Sequence, residues 1–124
     1  MKVSLQTLNL VRVLLFLFFI AAKLTAAVKM GAYPGVYLRN YVPTTSDAPG
    51  FYVGPGTYPT LPPGLYNSIV SITIAPYSSV VLYDGENYTG DNVLITNINN
   101  QPKVIANLGT MAKRIKSLKV GRTR

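Results

Sequence analysis

Chemistry in this chain must be done with very few groups. It has 124 residues and no cysteine, histidine or tryptophan. That removes thiol and imidazole nucleophiles, imidazole bases and the usual His/Cys zinc site. Only four carboxylates remain: Asp47, Asp84, Glu86 and Asp91. Asp84 and Glu86 stand two residues apart in a turn-like run, which does not set them across a cleft as a paired acid and base. The acids from Asp84 to Asp91 read as a solvated turn, against the competing reading of a weak acidic cluster for a hard cation. Asn87-Tyr88-Thr89 is a glycosylation sequon, which matters only in a eukaryotic secretory pathway. The expectation is a protein that is not an enzyme, with no cofactor, no metal and no small-molecule substrate.

The cations are more numerous and more clustered. Twelve Lys/Arg give a net charge of +8. Six of them fall near the C-terminus: Lys113, Arg114, Lys116, Lys119, Arg122 and Arg124. No acid follows Asp91. Such an end suits an anionic neighbour: lipid headgroups, nucleic acid or an acidic protein face. The plainer reading is a solvated strand edge whose lysines discourage edge-to-edge pairing. Ile115, Leu118 and Val120 alternate with the cations as strand faces do. Nine tyrosines, Tyr33 to Tyr88, are read mainly as packing, with some left for a protein contact.

The elements that must carry these groups divide into two parts. Residues 1–29 form an apolar N-terminal part, in which Val13 to Ala22 lacks any polar side chain and Arg12 and Lys23 bracket the run. One reading is a secretory signal with a small-residue exit at Thr25-Ala26-Ala27. The other is a retained hydrophobic helix. Leu8 to Val28 is 21 residues, which as a helix reaches about 30 Å, the thickness of the hydrocarbon layer. The reading adopted is a membrane anchor through residues 8–28, its two cations snorkelling to the headgroups. Which side of the membrane the rest occupies is left open by the lysines and arginines on both flanks.

Residues 33–122 read as one all-β domain: Val, Ile, Thr and Tyr runs punctuated by Gly and Pro. Asn97 to Met111 reads as a long connection in which Val104 and Ile105 tuck against the core in a short helical turn. Two segments repeat. Ile69-Val70-Ser71-Ile72-Thr73-Ile74 and Ile115-Lys116-Ser117-Leu118-Lys119-Val120 share apolar-x-Ser-apolar-x-apolar, 46 residues apart. The same step carries Val36-Tyr37 onto Leu82-Tyr83. Two copies of one four-stranded unit predict two Greek keys packed as a sandwich of two sheets.

The second copy has the sharper turn, Tyr83-Asp84-Gly85-Glu86-Asn87-Tyr88-Thr89-Gly90. Gly85 and Gly90 are expected at positive φ, Tyr83 and Tyr88 packed over the turn, and Ser117 bonded to its backbone. With this aromatic-x4-aromatic-x-Gly hairpin followed by a Ser-containing strand, residues 33–122 resemble the βγ-crystallin family. Tyr37 and Tyr41 keep part of the pattern in the first copy, where Val42 to Gly50 is a longer, Pro-containing turn. Gly54 to Tyr58 and Asn67 to Ile74 fit the family's later part, with Ser71 matching Ser117. Many microbial members bind Ca²⁺, and the resemblance places Tyr66, Asn67 and Val70 on the ligand-type positions of the first copy. In the second copy it places Ala112, Lys113 and Lys116 there. Val70 offers no side-chain oxygen and the lysines put positive charge where a hard cation needs oxygen, so both sites are expected to be inactive.

The function expected from this combination is structural. It is a membrane-anchored β domain that contacts other structural proteins of an assembly, such as a minor capsid protein of a large DNA virus with an internal membrane. The alternative is a secreted βγ-crystallin-like binding module, a toxin or inhibitor, with the signal cleaved. Nucleic-acid binding through Lys113 to Arg124 is the weakest reading and predicts affinity that falls steeply with salt.

Overall fold

The computed structural model describes residues 33–124. The predicted N-terminal helix and the proposed anchor or signal lie outside the described residues. Among the described residues no helix is long and apolar enough to cross a membrane.

Eight strands form in chain order: β1 (Val36–Arg39), β2 (Phe51–Val53), β3 (Gly56–Tyr58), β4 (Ser71–Ile74), β5 (Ser78–Tyr83), β6 (Asn92–Asn97), β7 (Lys103–Ile105) and β8 (Ser117–Arg122). A 3-10 turn, Gly109–Met111, precedes β8. The strands make two antiparallel four-stranded sheets, ordered β2-β1-β4-β7 and β3-β8-β5-β6. Each copy therefore sends its third strand to the other copy's sheet: β3 pairs with β8, and β7 with β4. This exchange ties the two copies together by backbone pairing as well as by side-chain packing.

Alternation explains the core. In β5 every second residue, Ser78, Val80 and Leu82, is buried, as a half-covered strand requires. Val36, Leu38, Ile72 and Ile74 of one sheet meet Val80, Leu82, Leu118 and Val120 of the other. Leu61, Leu65, Ile69, Met111 and Ile115 close the space from the connections.

Three expectations change. Val104 and Ile105 lie in a strand, β7, opposite Thr73 and Ile72, and the helical turn comes later, at Gly109–Met111. Strand β8 is not an edge, because it is held between β3 and β5, so Lys119 guards no free edge. The two opening strands also align differently. Leu38 lies opposite Ile72, and Leu82 opposite Leu118. The equivalents are thus Leu38 with Leu82 and Arg39 with Tyr83, two residues away from the match of Tyr37 to Tyr83. The first hairpin, residues 39–50 between Leu38 and Phe51, is two residues longer than 83–92 between Leu82 and Val93.

Candidate functional site

The second hairpin folds back over its sheet, and Ser117 is the reason it stays there. The Ser117 hydroxyl donates to the Gly85 carbonyl at 2.6 Å and accepts from the Tyr88 N–H at 3.0 Å. The Tyr83 and Tyr88 rings meet edge-on with centroids 5.7 Å apart. Gly90 takes φ +80°. Gly85 does not lie at positive φ, which corrects the expectation for it. It must be glycine because a Cβ there would stand 2.7 Å from the Thr89 carbonyl oxygen. The left-handed backbone falls instead on Asn87 (φ 56°) and Tyr88 (φ 62°), at a cost of roughly 1–2 kcal/mol for Tyr88 and less for Asn87. Their N–H groups are both satisfied, by the Pro59 carbonyl and by Ser117.

The first hairpin uses the same serine with a different partner set. The Ser71 hydroxyl donates to the Tyr41 carbonyl at 2.7 Å. Opposite Ser71, where the second copy has Tyr83, stands Arg39. Its guanidinium is buried, with Nη2 donating to Thr73 Oγ1 at 2.6 Å and to the Ala48 carbonyl at 3.0 Å. Burial lowers the Arg39 pKa from its ordinary value. Tyr37 packs on Tyr52 at 5.3 Å, and the Tyr41 hydroxyl donates to the Pro49 carbonyl. Nothing in the sequence singled out Arg39. A long cation that ends the run Val36-Tyr37-Leu38, just before Asn40, is the signal it leaves.

The ligand-type positions meet across the copies. The Lys116 ammonium lies 5.8 Å from the Tyr66 ring centroid and donates to the Asp84 carbonyl at 3.0 Å. A fixed ammonium thus bridges the Tyr66 ring and the backbone of the second hairpin. Asn67 and Lys113, equivalent by the repeat, both take positive φ. They exchange reciprocal bonds: Asn67 N–H to the Ile115 carbonyl at 3.0 Å, and Lys113 N–H to the Ile69 carbonyl at 2.8 Å. Among the described residues no three carboxylates gather to hold a metal ion. Asp84 and Asp91 both face Arg114, while the Tyr66 hydroxyl donates to Glu86 at 2.6 Å. That bond to the carboxylate is the main reason the Tyr66 pKa is raised.

The six C-terminal cations do not form one patch. Strand β8 runs the length of its sheet at about 3.3 Å per residue, which separates them. Arg114 and Lys116 lie at the hairpin end, beside Asp84, and Lys113 precedes them in the chain. Lys119 is exposed mid-sheet, its ammonium 4.6 Å from the Tyr88 ring and 5.9 Å from the Tyr83 ring. Arg122 pairs with Ser78 at the opposite end, where the Arg124 guanidinium lies 3.9 Å over the Tyr77 ring.

No protein-family model matches the sequence, and no curated protein matches it. Solved structures do. A structure described under the evolution of the eye-lens βγ-crystallin domain fold superposes with a TM-score of 0.65 at 16% identity, covering 80% of this chain and 96% of its own. A βγ-crystallin domain from Flavobacterium johnsoniae superposes with a TM-score of 0.55 at 19% identity, covering 70% and 93% respectively. The βγ-crystallin domain of Abundant Perithecial Protein from Neurospora crassa, in its Ca²⁺-bound form, superposes with a TM-score of 0.57 at 13% identity, covering 80% and 98%. At these identities the likeness is one of fold. The swapped third strands and the serine-held hairpins of residues 33–124 are those of the βγ-crystallin fold.

Proposed function

We propose that this chain is a non-enzymatic structural protein, a βγ-crystallin-fold domain held at a membrane by residues 8–28 and contacting neighbouring proteins of an assembly. The observation that carries the reading is how the polar side chains of the described domain are used. Ser71 and Ser117 hold hairpins, Asp84 and Asp91 face Arg114, and Glu86 receives the Tyr66 hydroxyl. These are bonds that tie side chains to backbone and to one another, as a rigid scaffold requires. A fold hosts many functions, so the role rests on this use of side chains together with the apolar run and the cationic C-terminus.

The setting we infer is a membrane-bearing assembly, of the kind in which a minor capsid protein of a large DNA virus sits on an internal membrane. Extraction of native membranes tests the anchor. The chain should resist high salt and be released by detergent. Release by salt alone replaces this reading with that of a peripheral or secreted module.

A further inference from the structure

The sandwich is polarised along its strands. At the hairpin end lie all four carboxylates, Asp47 in the first hairpin and Asp84, Glu86 and Asp91 in the second. The opposite end carries none. It is assembled from the start of β1, the ends of β6 and β8, and the turn before β5. The Gly35 N–H donating to Ser78 Oγ at 2.9 Å and Asn97 Nδ2 donating to the Ala75 carbonyl at 3.2 Å join them. Three cations lie there. Lys103 stands opposite Ile74, Arg122 stands opposite Ser78, and Arg124 covers the Tyr77 ring. Arg122 is also within electrostatic reach of Tyr52. Two large apolar side chains stand out from this end, Tyr33 at 61% and Ile98 at 72% exposure.

This is also the end at which residues 1–32 join the domain, directly before Tyr33. Covalent geometry limits the distance. Five Cα steps separate Val28 from Tyr33, a span of at most about 18 Å. The headgroup layer on one side takes about 5–8 Å of that. At most about 10–13 Å remains, little more than the Debye length of roughly 8 Å at physiological salt, so the anchored reading brings Tyr33 close to the field of a lipid surface.

We propose that the Tyr33 end of the sandwich rests on the anionic headgroups of a bilayer. Lys103, Arg122 and Arg124 face lipid phosphate and carboxylate, Tyr33 and Ile98 enter the interfacial layer, and the acidic hairpins point away. Charge complementarity and the tether select the occupant. A basic juxtamembrane surface is attracted to anionic lipid and tyrosine favours the membrane–water interface, whereas at the hairpin end Lys113, Arg114 and Lys116 are offset by the four carboxylates. The proposal rests on the anchored reading of residues 8–28, and it adds an orientation and a lipid class.

The test uses the full chain, which has no cysteine of its own. It is placed in phosphatidylcholine nanodiscs with and without phosphatidylserine. A fluorophore is attached to Asn100→Cys at the Tyr33 end or to Ser46→Cys at the hairpin end, with a quencher on the lipid headgroups. The expected result is quenching at position 100 that strengthens with phosphatidylserine, and none at position 46. It should fall to the phosphatidylcholine level in the Arg122→Gln/Arg124→Gln variant and in high salt. Equal quenching at both positions overturns the proposal, as does quenching at position 100 that ignores phosphatidylserine and both arginines. A chain that stays in the discs with position 100 unquenched also overturns it, while sparing the anchor and leaving the arginines to an acidic protein neighbour. A chain that elutes free of the discs in high salt removes the anchored reading and this proposal with it.

Discussion

Replacing Ser117 by alanine isolates what holds the second hairpin. The hydroxyl is fully buried and serves two backbone groups, the Gly85 carbonyl and the Tyr88 N–H. Its loss leaves both without that partner beneath the folded turn. A buried polar group left unsatisfied costs about 1–3 kcal/mol, so the pair predicts a loss of about 2–3 kcal/mol after partial relaxation. Ser71→Ala removes one bond, to the Tyr41 carbonyl, and should cost about 1 kcal/mol. Ser68 is half-buried and its bond to the Gly64 carbonyl lies at the surface, so Ser68→Ala serves as a control with a loss within about 0.5 kcal/mol. The assay is urea unfolding of the detergent-solubilised chain followed by tyrosine fluorescence, with thermal unfolding alongside. For a domain of this size about 1 kcal/mol moves Tm by 4–8 °C, so Ser117→Ala should fall by about 10–20 °C. If Ser117→Ala and Ser71→Ala agree to within about 0.5 kcal/mol, well below the difference expected from their bond counts, the two-bond account of the hairpin is wrong.

Three further outcomes follow from the same geometry. Gly85→Ala places a Cβ against the Thr89 carbonyl and should cost about 1–3 kcal/mol, the range for overpacking, read as a drop in urea midpoint at constant slope. Calcium should leave Tm unchanged to within about 1 °C at millimolar concentration, because a ligand stabilises only as its concentration passes its Kd and the Lys116 ammonium already sits between Tyr66 and Asp84. Burial raises the pKa of Tyr37, Tyr52 and Tyr58 above the ordinary value of 10.0. The folded state therefore favours their neutral forms, so that contribution is intact below pH 10 and is lost as pH rises through the folded values. Ultraviolet titration of tyrosinate should accordingly show these groups ionising together with loss of structure, rather than independently of it.

The second copy was legible because its determinants are close together. Tyr83, Tyr88 and Gly90 lie within one turn, and the apolar-Ser-apolar run around Ser117 marks the strand that closes over it. The first copy was misread by two residues for a physical reason. A slip of two along a strand leaves every side chain on its original face, so hydrophobic alternation gives no warning. The aromatic match of Tyr37 to Tyr83 then outweighed the true equivalent, Arg39, whose guanidinium does by hydrogen bonding what a tyrosine ring does by packing. Strand β7 escaped notice because three residues between an Asn-rich run and a Gly give no period to read. It exists because the exposed edge of β4 needs a partner. The meeting of Lys116 with Tyr66 leaves no mark in the sequence, because the repeat relates ligand-type positions within each copy whereas the fold brings them together between copies.

The central claim is that the apolar N-terminal run stays on the chain and holds the β domain at a membrane. N-terminal sequencing of the native protein, with intact mass on the same sample, tests it most directly. A start at Met1 or Lys2 is the predicted result. A start at Val28 would contradict the account and make the domain a released, secreted module.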